Sequence, residues 1–248
     1  MKTAVVGGME TVCVSNTALA EKMVNDCLAA RETKQRAKVV FSSNGQGIAL
    51  FGSDPSFQST MKSADIIHAD GQSVVFASKL LCKNTIPERI ATTDFFHDAA
   101  RAAQESGLTF YMFGATEQEN KIAVENIKSA YPNLKIVGRR NGYFSKEEES
   151  EIIDEINELK PDVVWVALGK PMQEFWCMKM RSELNVGWLK TCGGLYAFLA
   201  GSVSRAPKWM QNAGLEWVFR MLNEPRKYFW RYLITNPKAI FYMLTNSK

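Results

Sequence analysis

DVVWVAL, residues 162–168, runs straight into GKPMQE, residues 169–174, and a helical pattern carries on from there to residue 183. A short β-branched run that passes through a glycine turn into a helix is half of a β–α–β unit. The same succession recurs along the chain. Strand patterns fall at 38–42, 66–69, 109–113, 134–137 and 186–191, and helical patterns at 18–31, 73–81, 94–106, 118–130 and 146–159. This alternation predicts an α/β fold, a Rossmann-like and mostly parallel sheet flanked by helices. Thr93 is the expected cap of the helix opening at Asp94, and Ser145 of the helix whose first turn holds Glu147, Glu148 and Glu149. Gly107 and Gly114 fall at element ends. After Gly201 no strand pattern follows, only basic, aromatic helices broken at Pro207, Pro225 and Pro237. A boundary there divides an α/β body, residues 1–202, from a helical appendage, residues 203–248.

With 46% apolar and 23% charged residues in 248, the chain has the composition of a soluble globular protein with one main core. No apolar run reaches 18 residues, which argues against a spanning helix. The apolar part of the N-terminus is too short for a secretory signal. Cys13, Cys27, Cys82, Cys177 and Cys192 form no C-x-x-C pair and read as reduced thiols of the cytoplasm. Only His68 and His97 are present, too few for a multi-histidine metal centre. The charge is uneven. Residues 205–248 carry eight Lys or Arg against Glu216 and Glu224, and nine of the 27 aromatics. That local +6 within a total of +4 leaves −2 for everything before it. Cations among aromatic rings suit the phosphate-rich boundary of a bilayer. Residues 232–244 are apolar but interrupted by Asn236, Pro237 and Lys238, which fits a segment lying at that boundary. Nucleic acid would also meet such a patch, but no nucleic-acid module is recognisable and the body is acidic.

In open parallel sheets, ligands sit beyond the carboxyl ends of the strands. Four loops qualify: residues 42–45, 68–71, 169–174 and 192–194. Asp70, after an apolar strand and before Gly71, could take a proton from an acceptor hydroxyl, or could equally be a turn or capping residue. Gly193 and Gly194 let the backbone approach a phosphate at a helix start, or serve turn sterics alone. Gln173, in the first turn after Gly169, could read a sugar or base through both ends of its amide, or be ordinary helix-start chemistry. Phe95, Phe96, Phe175 and Trp176 read as core, and both histidines as structural. No G-x-G-x-x-G follows a strand and no P-loop motif occurs, which argues against a dinucleotide dehydrogenase or an NTPase. No Asp-x-Asp occurs either. A bound diphosphate would then rely on helix starts and on arginines such as Arg89, Arg205, Arg220, Arg226 and Arg231.

Taken in order, SSNGQ (42–46), ADG (69–71), PERIATTD (87–94), VGRRNGYF (137–144), GKPMQE (169–174), CGGLYAFLAG (192–201) and RAPKWMQNAGLEWVFRMLNEPRK (205–227) resemble the WecG/TagA/CpsF family, glycosyltransferase family 26. The resemblance implies an inverting, metal-independent bacterial enzyme without a cofactor. It would move a sugar from a UDP-sugar donor to an undecaprenyl-pyrophosphate-linked saccharide. It implies Asp70 as general base, with Ser42 (in place of the family's Thr), Asn44, Arg89 and Gln173 at the substrate. Gly169, Gly193 and Gly194 join them from the matching loops. It also implies that the appendage brings arginines to the site at the membrane, here Arg205, Arg220, Arg226 and Arg231. Where many members read R-V-x-G-x-D, this chain has Arg89-Ile90-Ala91-Thr92-Thr93-Asp94, so Thr92 adds a side chain beside the expected sugar pocket and Asp94 keeps the acid. UDP-N-acetylmannosamine, its uronic acid and UDP-glucose all remain open as donors. The implied setting is peripheral, on the cytoplasmic face of the inner membrane, with self-association in competition with docking. The competing classes are a Rossmann-like NAD(P)-dependent oxidoreductase and a non-catalytic nucleotide-binding membrane adaptor.

Overall fold

The structure, a computed structural model, describes residues 1–33 and 36–248. Eight strands appear in chain order: β1 (Thr3–Val6), β2 (Met9–Val12), β3 (Lys38–Ser43), β4 (Ile66–Ala69), β5 (Thr109–Gly114), β6 (Lys135–Arg140), β7 (Val163–Ala167) and β8 (Trp188–Thr191). The helices begin with α1 (Asn16–Thr33), α2 (Gly45–Ser53), α3 (Pro55–Lys62), α4 (Gln72–Leu81), α5 (Thr92–Ser106) and α6 (Glu117–Ala130). They continue with α7 (Glu149–Leu159), α8 (Met172–Met180), α9 (Leu195–Leu199), α10 (Lys208–Asn212), α11 (Glu216–Asn223) and α12 (Pro225–Thr245). β3 to β8 form a six-stranded parallel sheet in the order β4-β3-β8-β7-β5-β6, so the α/β expectation holds. Among the described residues no strand follows β8.

The chain divides into two compact units. One gathers Met1–Ser15, Ser42–Ala91 and Ser204–Lys248; the other holds Asn16–Phe41 and Thr92–Val203. The core of the second is aromatic. Phe95 and Phe96 of α5 meet Trp165 of β7, which also packs edge-on against Phe110 of β5. All four side chains are fully buried, as expected of the Phe pair. Trp176 is buried against Phe113, while Phe175 is only half-buried. His97 is exposed and pairs with the Tyr131 hydroxyl at 2.7 Å, and His68 is buried within β4.

The first unit holds what sequence patterning did not anticipate. β1 and β2 form a hairpin whose Gly7 and Gly8 both have positive φ, 59° and 81°, as a two-residue turn of mirror-image type requires. α2 is a helix despite Gly45, Gly47 and Gly52. Gly52 admits α12, since a Cβ there would stand 2.3 Å from the Tyr242 ring, whereas one on Gly45 would make an ordinary contact with the Ala239 methyl at 3.8 Å. α12 also runs through Pro237, where a break was expected. The Thr235 hydroxyl donates to the Arg231 carbonyl at 2.8 Å just ahead of the proline, and the packing on α2 holds the helix across the missing donor. Past α12 the chain returns to the hairpin. Lys248 exchanges both backbone hydrogen bonds with Val5, and Gly8 donates to the Asn246 carbonyl.

Two expected caps differ. Thr93 lies inside the first turn of α5, which begins one residue earlier. Ser145 does not cap α7; its backbone N–H donates to the Glu148 carboxylate at 2.7 Å.

Candidate active site

In the first unit, Asp70 sits just past the carboxyl end of β4, half-buried. Its N–H and that of Gly71 both donate to the Ser43 carbonyl, at 2.9 and 3.1 Å, which ties this loop to the end of β3. A Cβ on Gly71 would meet the Asn44 Cα at 3.1 Å, a tight contact that favours glycine there. Asn44 works at both ends of its amide. Its Oδ1 caps α2 by accepting from Gly47 N at 3.0 Å, and this orientation turns Nδ2 to donate to Asp70 Oδ2 at 3.1 Å. A capping duty thereby aims a donor at the carboxylate. The N-cap position of α4 is Gly71, not Asp70. Ser42 is buried at the next-to-last position of β3, two residues before Asn44.

Arg89 closes over the same loop. Its Nε donates to the Asp70 carbonyl at 2.7 Å, and Ile90 N donates to the Ala69 carbonyl at 2.7 Å, holding the Arg89 segment beside β4. Arg89 Nη2 reaches Glu216 Oε2 of α11 at 2.8 Å. Glu216 Oε1 accepts from Arg220 Nη2 at 2.8 Å and lies 3.4 Å from Arg205 Nε. Burial pushes the Glu216 carboxyl up, but Arg89, Arg220 and Arg205 outweigh it and hold the group below its ordinary range. Burial pulls the Arg220 guanidinium down, yet Glu216, with Tyr232 and Asp70 behind it, keeps it above its usual value. Ser42, Asn44, Asp70, Arg89, Arg205 and Arg220 thus belong to one compact unit, and four of them are joined by hydrogen bonds or ion pairs that lead to Asp70 or to Glu216.

The second unit holds the other matched residues. Gln173, buried in the first turn of α8, donates Nε2 to Glu174 Oε1 at 2.9 Å, and its Oε1 accepts from Gly193 N at 3.0 Å. Lys170 pairs with the same Glu174 oxygen at 2.9 Å. Both ends of the Gln173 amide are therefore engaged by the protein, and the side chain holds the Gly193 loop. Gly169 and Gly193 have φ of 77° and 53°, which explains glycine at both. Gly194 has no positive φ, and a Cβ there would meet nothing within 4 Å, so turn sterics do not account for it. The helix behind it, α9, spans five residues, so its dipole adds little. Burial pushes the Cys192 thiol well above its ordinary value, which leaves it a packing group. Asp94 is half-buried in the first turn of α5.

The sequence model of the glycosyl transferase WecG/TagA/CpsF family matches residues 8–248. The chain belongs to this family. Two relatives are named N-acetylglucosaminyldiphosphoundecaprenol N-acetyl-β-D-mannosaminyltransferase. The one from Bacillus spizizenii (strain ATCC 23059 / NRRL B-14472 / W23) is 32% identical over 195 residues, 79% of this chain and 74% of its own. The one from Bacillus subtilis (strain 168) is 30% identical over 224 residues, 90% of this chain and 86% of its own.

Within this WecG/TagA/CpsF chain the remaining tail arginines stand apart from Glu216 in character. Arg226 is exposed in the first turn of α12. Arg231 stacks on Tyr228, 4.3 Å from the ring centre, and lies 5.1 Å from that of Tyr232. α12 has two apolar stripes. Tyr228, Tyr232, Ala239, Tyr242 and Met243 form the covered one; Trp230, Leu233, Ile234, Ile240, Phe241 and Leu244 are exposed. No helix among the described residues is long and apolar enough to cross a membrane. Among those residues no three His, Cys, Asp or Glu are grouped to hold a metal ion. Glu216 is the residue that sequence reading passed over. Its signal was present: Glu216 and Arg220 stand four apart, the spacing of an intrahelical ion pair.

Proposed function

We propose that this chain transfers a sugar from a UDP-sugar to the saccharide of an undecaprenyl-diphosphate-linked acceptor. Family membership supports the reaction class, and the names of the two relatives support N-acetylglucosamine on the lipid carrier as acceptor. They make UDP-N-acetylmannosamine the first donor to assay, ahead of its uronic acid and UDP-glucose. The observation that carries the reading is the Asp70 loop, with Asn44 on the carboxylate and Arg89 on the carbonyl. The acceptor oxygen attacks the anomeric carbon while Asp70 takes its proton. The bond from that carbon to the diphosphate breaks, and UDP leaves with the electron pair. Charge growing on the leaving oxygen is offset by guanidinium groups already in place. Displacement from the opposite face inverts the anomeric centre, and the chemistry uses the arginines in place of a divalent ion.

The exposed apolar stripe of α12, with Arg226, Lys227 and Lys238 on the same helix, supports peripheral binding to an anionic bilayer surface. A carrier-linked acceptor is held in a membrane, and a nucleotide-sugar donor, a cytoplasmic metabolite, favours the cytoplasmic face.

The test is UDP release from each donor with N-acetylglucosaminyl-diphosphoundecaprenol in vesicles. Asp70→Asn should lower turnover at least about a hundredfold, the scale of a general base. Near-normal turnover in that variant removes Asp70 from the role. Absence of UDP release with every donor leaves a binding protein, not a transferase.

A further inference from the structure

We propose that Glu216 is a positioning residue that assembles Arg89, Arg205 and Arg220 into one set and joins it to the Asp70 loop. The inference rests on the sugar-transfer reading for its activity arm only. Glu216 is 7% exposed and is met by all three guanidinium groups, at 2.8, 2.8 and 3.4 Å. Three cations that close repel one another, and a shared carboxylate offsets that repulsion. Arg89 extends the link, since its Nε holds the Asp70 carbonyl while its Nη2 holds Glu216. A residue of α11 is in this way connected through one side chain to the main chain of the proposed base.

The proposed reaction gives the set its purpose. Three guanidinium groups held on one carboxylate present a cluster of donors to the anionic oxygens of an entering nucleoside diphosphate. Without Glu216, Arg205 and Arg220 separate, and the ligand must gather them at the expense of its own binding. A role limited to anchoring α11 predicts lower stability without a specific loss of diphosphate affinity.

The experiment uses the full chain and UDP itself, by calorimetric titration, with steady-state transfer in parallel. Glu216→Gln keeps the shape and removes the charge. We expect UDP affinity to fall at least about tenfold, the scale of a lost charge-assisted contact, in protein that still unfolds cooperatively above the assay temperature. Glu216→Asp keeps the charge and retracts it by one methylene, and its affinity should lie between the two. Arg89→Gln combined with Glu216→Gln should bind little worse than the weaker single variant, because both act through one network. Wild-type affinity in the Gln variant, or fully additive losses, overturns the proposal. If the Gln variant does not fold, wild-type affinity in the Asp variant overturns it alone. Wild-type chain that binds UDP but transfers no sugar defeats the functional reading and leaves Glu216 to be judged by binding. Wild-type chain that binds no UDP defeats both.

Discussion

Asp162 and Glu216 are buried to nearly the same depth, 6% and 7% exposed, and both meet arginine. Their surroundings differ in charge count. Asp162 takes a two-pronged contact from Arg31, Nε and Nη2 each at 2.7 Å, and accepts from Thr109 N and Oγ1 at 2.7 and 2.9 Å. One anion faces one cation, and Arg31 spends a further donor on the Gly107 carbonyl. Such a group is closed and neutral, a latch between α1 and the starts of β5 and β7. Glu216 gathers three arginines, an arrangement that under the proposal above serves a further anion. Burial and ion pairing alone do not separate a latch from a binding site; the proposal separates them by how many guanidinium groups one carboxylate gathers.

The strongest way to sharpen that contrast is Asp162→Asn, which turns an amide NH2 toward donors and strands Arg31. The expected loss is about 3 kcal/mol of stability, the lower end for breaking a buried pair because Arg31 is half exposed. Denaturant unfolding measures it, and UDP affinity per folded molecule should stay unchanged. A loss of affinity at unchanged stability would erase the distinction.

A smaller effect concerns pH. Because the folded-state Glu216 carboxyl lies below its ordinary value of 4.5, its stabilisation is fully present above that value. It is lost as pH falls through the lowered folded value. Melting temperatures of wild type and Glu216→Gln should therefore differ at pH 7 and converge on acidification below about 4.5, the unfolded-state range. A gap that persists to the lowest pH at which both fold would place its origin in shape instead of charge. Smallest of all should be Arg226→Gln. An exposed side chain gains little from pairing, so UDP affinity in solution should stay within about twofold, while binding to anionic vesicles weakens modestly. A larger solution effect would bring Arg226 into the arginine set.

The contrast also explains what was legible in advance. Runs such as VVWVA and IIHA announce buried strands by themselves, and the loops behind them follow from sheet geometry. α2 was not readable, because three glycines in nine residues argue locally for a loop. Only the distant Tyr242, arriving on α12, makes glycine an advantage at Gly52. The Gly7-Gly8 turn between two short apolar runs was readable and was missed. In the tail's charge count Glu216 is just one of two acids, and its meaning depends on Arg89 far away in sequence. Asn44 and Asp70 were found one by one, but the amide that serves as cap and donor at once emerges only when β3 and β4 end side by side.

Arg89 and Glu216 are separated by 127 residues of chain. At about 5–20 residues per second of synthesis, roughly 6–25 s pass between the two leaving the ribosome's catalytic centre. All of Thr92–Val203 is made in that interval, and the stretch that will cover α2 is made after it. A growing polypeptide consequently carries the Asp70 loop long before it carries the α11 carboxylate that Arg89 pairs with. The ion-paired set around Glu216 can therefore form only after β8, the last strand of the sheet to be synthesised, has been made.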